Sequence, residues 1–164
     1  MKLGAALILS ACLSASQAGA LSCMRPNLAE TFNRFQASDD IYNIAVGTLR
    51  ITGKIPPYVE GKPRSVPAEF SGRFMGLNGL GKPQTRALTL KTHCVAHWCG
   101  GIPNDAGTEQ LLFLRQSDNG PVLDLGACPE GNVSSVTQSR LDLLQSCLKR
   151  GKCSASDLQK MEQF

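Results

Sequence analysis

The feature that most constrains this chain is where it keeps its cysteines. There are seven: Cys12, Cys23, Cys94, Cys99, Cys128, Cys147 and Cys153. Cys12 lies in a leader. Met1-Lys2 gives a short positive start, "LGAALILSACLSAS" is apolar and small, and Ala18-Gly19-Ala20 is an A-x-A cleavage site. These are the parts of a secretory signal peptide over residues 1–20. Its removal leaves six cysteines. Export places them in an oxidising compartment, so an even number is expected to pair. Two other processing readings stand beside this one. Cleavage after Ser22 makes Cys23 the first residue, and "LSAC" ending at Cys12 is a lipobox-like site for a lipid anchor. No later segment reaches the roughly 18 apolar residues of a transmembrane helix. The net charge of +4 becomes +3 without Lys2, and the other basic residues are scattered, so nothing points to nucleic acid.

Residues 21–153 read as one small domain and 154–164, "SASDLQKMEQF", as a polar, frayed tail. "RPNLAETFNRFQASDD" predicts a short helix, with Leu28, Phe32 and Phe35 on one face. "IYNIAVGTLRIT" (41–52) predicts a strand. Tyr42, Ile44 and Val46 share one parity, and Leu49 and Ile51 take the other, which predicts a β-bulge at Gly47. Further strands are expected at 66–74, 85–92, 110–115 and 121–128, separated by Pro/Gly loops and the "SDNG" turn. A closing helix should be capped by Ser134 or Ser135, turn Val136, Leu143 or Leu144, and Cys147 inward, and stop at Gly151. Five strands with a helix on either side predict an all-β, OB-fold-like five-stranded barrel, stapled by disulfides.

The segment "THCVAHWCGG" (92–101) holds Cys94 and Cys99, both histidines and the only tryptophan. A metal reading would use His93 and His97, but the spacing fits no common zinc motif, and on an extended segment Cys94 points away from the other three. A redox reading lacks C-x-x-C and its surrounding βαβ pattern. The disulfide reading accounts for all six cysteines. Cys147 and Cys153 are close enough for a local bridge at the helix end, and Trp98 is then core or rim packing.

The order of motifs carries a resemblance. Cys23 follows the leader, and "FNRFQASDDIYNIAVGTL", "FSGRFMG", "TLKTHCVAHWCG", "GTEQLLFLR" and "DLGAC" come next. Over about residues 23–150 this resembles the netrin-like module, in particular the tissue inhibitors of metalloproteinases and their short bacterial relatives. The resemblance implies an OB-like barrel with a Cys23–Cys99 bridge, and with it go Cys94–Cys128 and Cys147–Cys153. It also implies that the α-amine and carbonyl of Cys23, with Met24, chelate the zinc of a target protease. That role requires Cys23 to be the first residue, and Arg25 stands where the inhibitors usually carry a second cysteine.

No Ser/His/Asp set, carboxylate pair or phosphate loop is evident, so no catalysis and no cofactor is expected. Asp39, Asp40, Asp105 and Asp124 read as solvated or capping groups. The expected function is a periplasmic or extracellular protein-binding module, with an extracytoplasmic metalloprotease as the implied partner. Its surface is expected at the Cys23 ridge with Met24, at the 53–65 loop around Pro56, Pro57 and Tyr58, and at the 100–108 loop with Gly100 and Gly101. Two alternatives belong to other classes: a metal-binding protein using His93 and His97, and a barrel that binds a carbohydrate or other small ligand.

Overall fold

In strand β1 (Tyr42–Ile51) the run Ile44–Gly47 is buried on both sides. The reason is that this strand serves two cores. The computed structural model describes residues 23, 27–103, 107–128, 130–134 and 136–162. The expected leader with Cys12, both expected cleavage positions, Met24, Asp105 and the expected cap Ser135 lie outside the described residues. After helix α1 (Leu28–Gln36) and β1 come β2 (Ser65–Gly76), β3 (Gly79–Leu80), β4 (Gln84–Thr92), β5 (Cys94–Val95) and β6 (Trp98–Cys99). Then follow β7 (Gln110–Arg115), β8 (Val122–Leu125), β9 (Asn132–Val133), α2 (Gln138–Arg150) and α3 (Ala155–Glu162).

The five long strands close on themselves in the order β1-β2-β4-β8-β7, and β7 pairs again with β1. Only β4 and β8 run parallel. The result is the closed five-stranded, OB-fold-like barrel that the strand pattern predicts. Inside it pack Ala45, Leu49, Phe70, Leu88, Leu90, Leu112, Leu114 and Leu123. Outside it, Ile44, Val46, Leu111 and Phe113 meet Leu28, Phe32, Leu144 and Cys147 from the helices. This second layer explains why "QLLFLR" is apolar throughout: β7 is wall to both cores.

The parity switch in β1 is therefore not a bulge. Its register with β2 runs unbroken from Ala45↔Phe74 to Ile51↔Ala68. Tyr42, Ile44 and Val46 face the helices, while Ala45 and Leu49 face the barrel interior. Gly47 sits opposite Gly72, where an added Cβ would lie 2.3 Å from the Ser71 carbonyl and 2.7 Å from the Phe70 ring. The glycine pair lets two strands and one buried ring occupy the same space.

The helical layer begins at Asn27, whose Oδ1 accepts from the Ala29 and Glu30 amides. Helix α2 is capped by Thr137 rather than Ser134, and it ends at Gly151 as expected. The expected frayed tail is a docked helix. Ser154 and Asp157 form a capping box in which the carboxylate accepts from the Ser154 amide and hydroxyl, both at 2.7 Å. Asn27 Nδ2 donates to the Leu158 carbonyl, and Asn33 holds the Cys153 backbone by two hydrogen bonds. Cys147 is bridged to Cys153 as expected.

The other two bridges differ from expectation. Cys23 pairs with Cys128, and Cys94 pairs with Cys99. Cys94 and Cys99 stand directly opposite one another on β5 and β6, so each has the other as its partner and neither is left for Cys23 or Cys128, which pair together.

Candidate binding surface

One end of the barrel gathers most of the expected surface residues. At the end of β4 the chain leaves into the β5–β6 hairpin, where Val95 pairs with Trp98 across a two-residue turn, Ala96-His97. Ala96 has a φ of 53°, a region that disfavours any residue with a Cβ. The Cys94–Cys99 bridge holds the strands on either side of that turn. The hairpin is rooted by Gly100 N donating to His93 O and His93 N donating to Leu125 O. Gly100 is buried, and a Cβ there would lie 2.0 Å from the Leu125 carbonyl, so only glycine fits.

The 53–64 loop lies against this hairpin. The Tyr58 hydroxyl donates to the His97 carbonyl at 3.1 Å, and Cys99 Sγ lies 3.8 Å from the Lys62 carbonyl. Arg64 braces the loop from behind. Its guanidinium sits over the Tyr58 ring at 5.6 Å and reaches the Pro56 carbonyl, while its backbone exchanges hydrogen bonds with buried Thr92. The outcome is a held ridge of apolar side chains facing solvent: Tyr58 is 57% exposed, Val95 60%, Trp98 46%, Ile55 41% and Val59 44%. Trp98 thus belongs to the rim and is not part of the core.

Pro56 and Tyr58, with exposed Pro57 between them, lie on the loop and Gly100 at the root of the hairpin that the loop touches. Gly101 is exposed beside them. Cys23 is tied to Cys128, three residues beyond the Leu125 carbonyl that Gly100 packs on. Ile55, Val59 and Arg64 belong to the expected 53–65 loop without being singled out in it, and Val95 and Trp98 are absent from the sequence-based site. One signal was available for the last two: C-x4-C is the spacing of two opposed cysteines around a two-residue turn, which puts Val95 and Trp98 side by side.

The histidines do not form a metal centre with the cysteines. Both sulfurs are consumed by the bridge, His97 lies on the turn, and His93 Nε2 is 2.7 Å from Asp124 Oδ1. Among the described residues no group of three or more His, Cys, Asp or Glu could hold a metal ion. Asp124, expected to be a solvated or capping group, instead closes the barrel seam. Arg115 Nε donates to its Oδ2 at 2.7 Å, next to the one backbone pair that joins β7 to β8, Arg115↔Val122. Burial pushes the Asp124 carboxyl up, but the Arg115 and His93 hydrogen bonds outweigh it and leave the group below its ordinary value. Hydrogen bonding to Asp124 likewise raises Arg115, and burial with two nearby carboxylates raises Tyr42.

Comparison of the chain with protein-family models, with curated proteins and with solved structures finds no match. Among the described residues no helix is long and apolar enough to cross a membrane.

Proposed function

We propose that this chain is an exported, non-enzymatic binding module of the netrin-like type, and that a protein partner seats on the Tyr58–Trp98 ridge. The observation that carries the reading is the ridge itself. Five large apolar side chains stand in water, on a hairpin and loop fixed by a disulfide, a cation–π contact and a tyrosine hydrogen bond. Tyr and Trp on a rigid frame are the residues that anchor protein interfaces at small entropic cost. The three disulfides support an extracytoplasmic setting.

The test is a photo-crosslinking amino acid placed at Trp98, and separately at Lys82 at the opposite end of the barrel, in cells that make the full chain. A discrete adduct is expected from position 98 and not from position 82, and Val95→Asp should abolish it. Equal labelling from both positions refutes the reading. A zinc protease is the special case suggested by the resemblance. It is tested by comparing inhibition by protein beginning at Cys23 with protein beginning at Leu21, where only the former should act.

A further inference from the structure

The other end of the barrel is built differently. On β4 the inward-facing row reads Gln84, Arg86, Leu88, Leu90; on β1 it reads Asn43, Ala45, Gly47, Leu49. Each row is apolar in the barrel and turns polar at the mouth, where β2 contributes Phe74. Asn43, Phe74, Gln84 and Arg86, with Gln116, Ser117, Gly120 and Pro121 of the following turn, line an open cavity of about 320 Å³. That is the lower end of the usual range for small-molecule sites, and barrel mouths are a usual place for them.

The chemistry of the lining narrows the occupant. Asn43, Gln84 and Gln116 are carboxamides; among the described lining residues Arg86 is the one charged side chain and none is an acid, Asp118 of the same turn not being part of the lining. Arg86 Nε donates to Gln84 Oε1 at 2.9 Å, a bond that does not engage the guanidinium's two end nitrogens. Phe74 supplies an apolar face, held edge-on by Phe70 with ring centroids 5.4 Å apart. The turn wall is preformed: Ser117 Oγ donates to Gly120 O at 2.7 Å, and Gly120 N donates back to Ser117 O. Carboxamides that both donate and accept suit vicinal hydroxyls, a ring face suits the C–H side of a sugar, and an arginine without a facing acid suits a carboxylate.

We infer that this mouth binds an acidic monosaccharide unit, a hydroxylated ring bearing a carboxylate, through Asn43, Gln84 and Gln116 on the hydroxyls, Arg86 on the carboxylate and Phe74 on the ring face. The site lies at the opposite end of the barrel from the Tyr58–Trp98 ridge and does not depend on it.

The experiment is an NMR titration of the exported chain with glucuronate, glucose and acetate in parallel. Glucuronate should shift the side-chain amides of Asn43, Gln84 and Gln116 and the ring of Phe74, with glucose and acetate each weaker. Arg86→Gln should weaken glucuronate about tenfold, the size of one lost charge-assisted hydrogen bond, and leave glucose unchanged. Lys54→Gln, at the far end, should change neither. Acetate binding as well as glucuronate overturns the inference, because the site is then for anions alone. Glucose binding as well as glucuronate overturns the carboxylate assignment. No shift of the lining resonances at tens of millimolar glucuronate, in protein whose backbone spectrum is intact, overturns the site.

Discussion

Replacing both Cys94 and Cys99 by serine should cost little stability, and replacing Cys23 and Cys128 should cost much more. Closing a loop removes freedom from the unfolded chain in proportion to the logarithm of its length. The Cys23–Cys128 bridge spans a separation of 105 residues and Cys94–Cys99 spans 5. Those lengths are worth about 4.7 and about 2 kcal/mol respectively. The alternative pairing, Cys23–Cys99 with Cys94–Cys128, spans 76 and 34 residues, and its bridges would be worth about 4.5 and about 3.8 kcal/mol. Under that pairing Cys94→Ser with Cys99→Ser breaks both bridges at once and costs about 8 kcal/mol, enough to unfold an ordinary domain. Guanidinium unfolding of the two double variants reads the difference directly. The structure predicts a fall of about 2 kcal/mol for the hairpin pair, with a slope close to that of the parent, because so short a loop barely restrains the unfolded ensemble. Under the alternative pairing Cys23→Ser with Cys128→Ser also breaks both bridges, so a hairpin variant that fails to fold, or that falls as far as that variant, would falsify the connectivity and with it the placement of the ridge.

Three further outcomes follow from particular contacts. Gly47→Ala should lower stability by about 3 kcal/mol in chemical denaturation, since its Cβ meets strand backbone that cannot retreat. Trp98→Ala should leave the thermal midpoint nearly unchanged while Leu144→Ala, fully buried, costs about 2–5 kcal/mol, because only the second side chain is in a core. Hydrogen bonds from Ser154, with Arg150 and Lys160 nearby, hold the Asp157 carboxyl below its ordinary 3.8 against the effect of burial. A depressed folded pKa contributes stability above the ordinary value and loses it as pH falls through the folded one. Docking of α3 should therefore weaken below about pH 4, and Asp157→Asn should flatten that part of the profile in pH-resolved unfolding.

Much of the barrel could be read from residues because strand alternation reports which face is buried. The reading failed where one strand serves two cores. The parity change at Gly47 is what a bulge would produce, and it is equally what results when the helices cover only the first half of the strand's outer face. Periodicity records burial and does not say what does the burying. The "SASD" cap was legible, but the polar composition of 154–164 concealed that Leu158, Asp157 and the Asn27 and Asn33 side chains bonded to the Leu158 and Cys153 backbone suffice to dock a short helix. Disulfide pairing depends on which segments meet, and motif order alone did not supply that; the C-x4-C spacing did, for one pair. The ridge was half visible, as Pro56, Pro57, Tyr58 and Gly100, because prolines and glycines mark loops. Trp98 reads from the sequence as core or rim packing, and the structure puts it on the rim; nothing but the C-x4-C spacing points to Val95 beside it.

The exposed hairpin gives the strongest argument about function. A chain selected only to fold would have no use for the β5–β6 hairpin. The segment adds nothing to either core and spends a bridge on a short loop. It puts an alanine at a φ of 53° and holds a tryptophan in water. Each feature works against the local rules that the rest of the chain obeys, and such departures concentrate where a protein meets something else. The barrel mouth departs in the same sense, since inward rows that could have ended in leucine end in Gln84, Arg86 and Asn43. Both departures lie at ends of the barrel, where strands run out and side chains no longer have to fill the interior. The wall between them is packed on its helical side and tied at its seam by Asp124 and Arg115, so each end can change its side chains without disturbing the other.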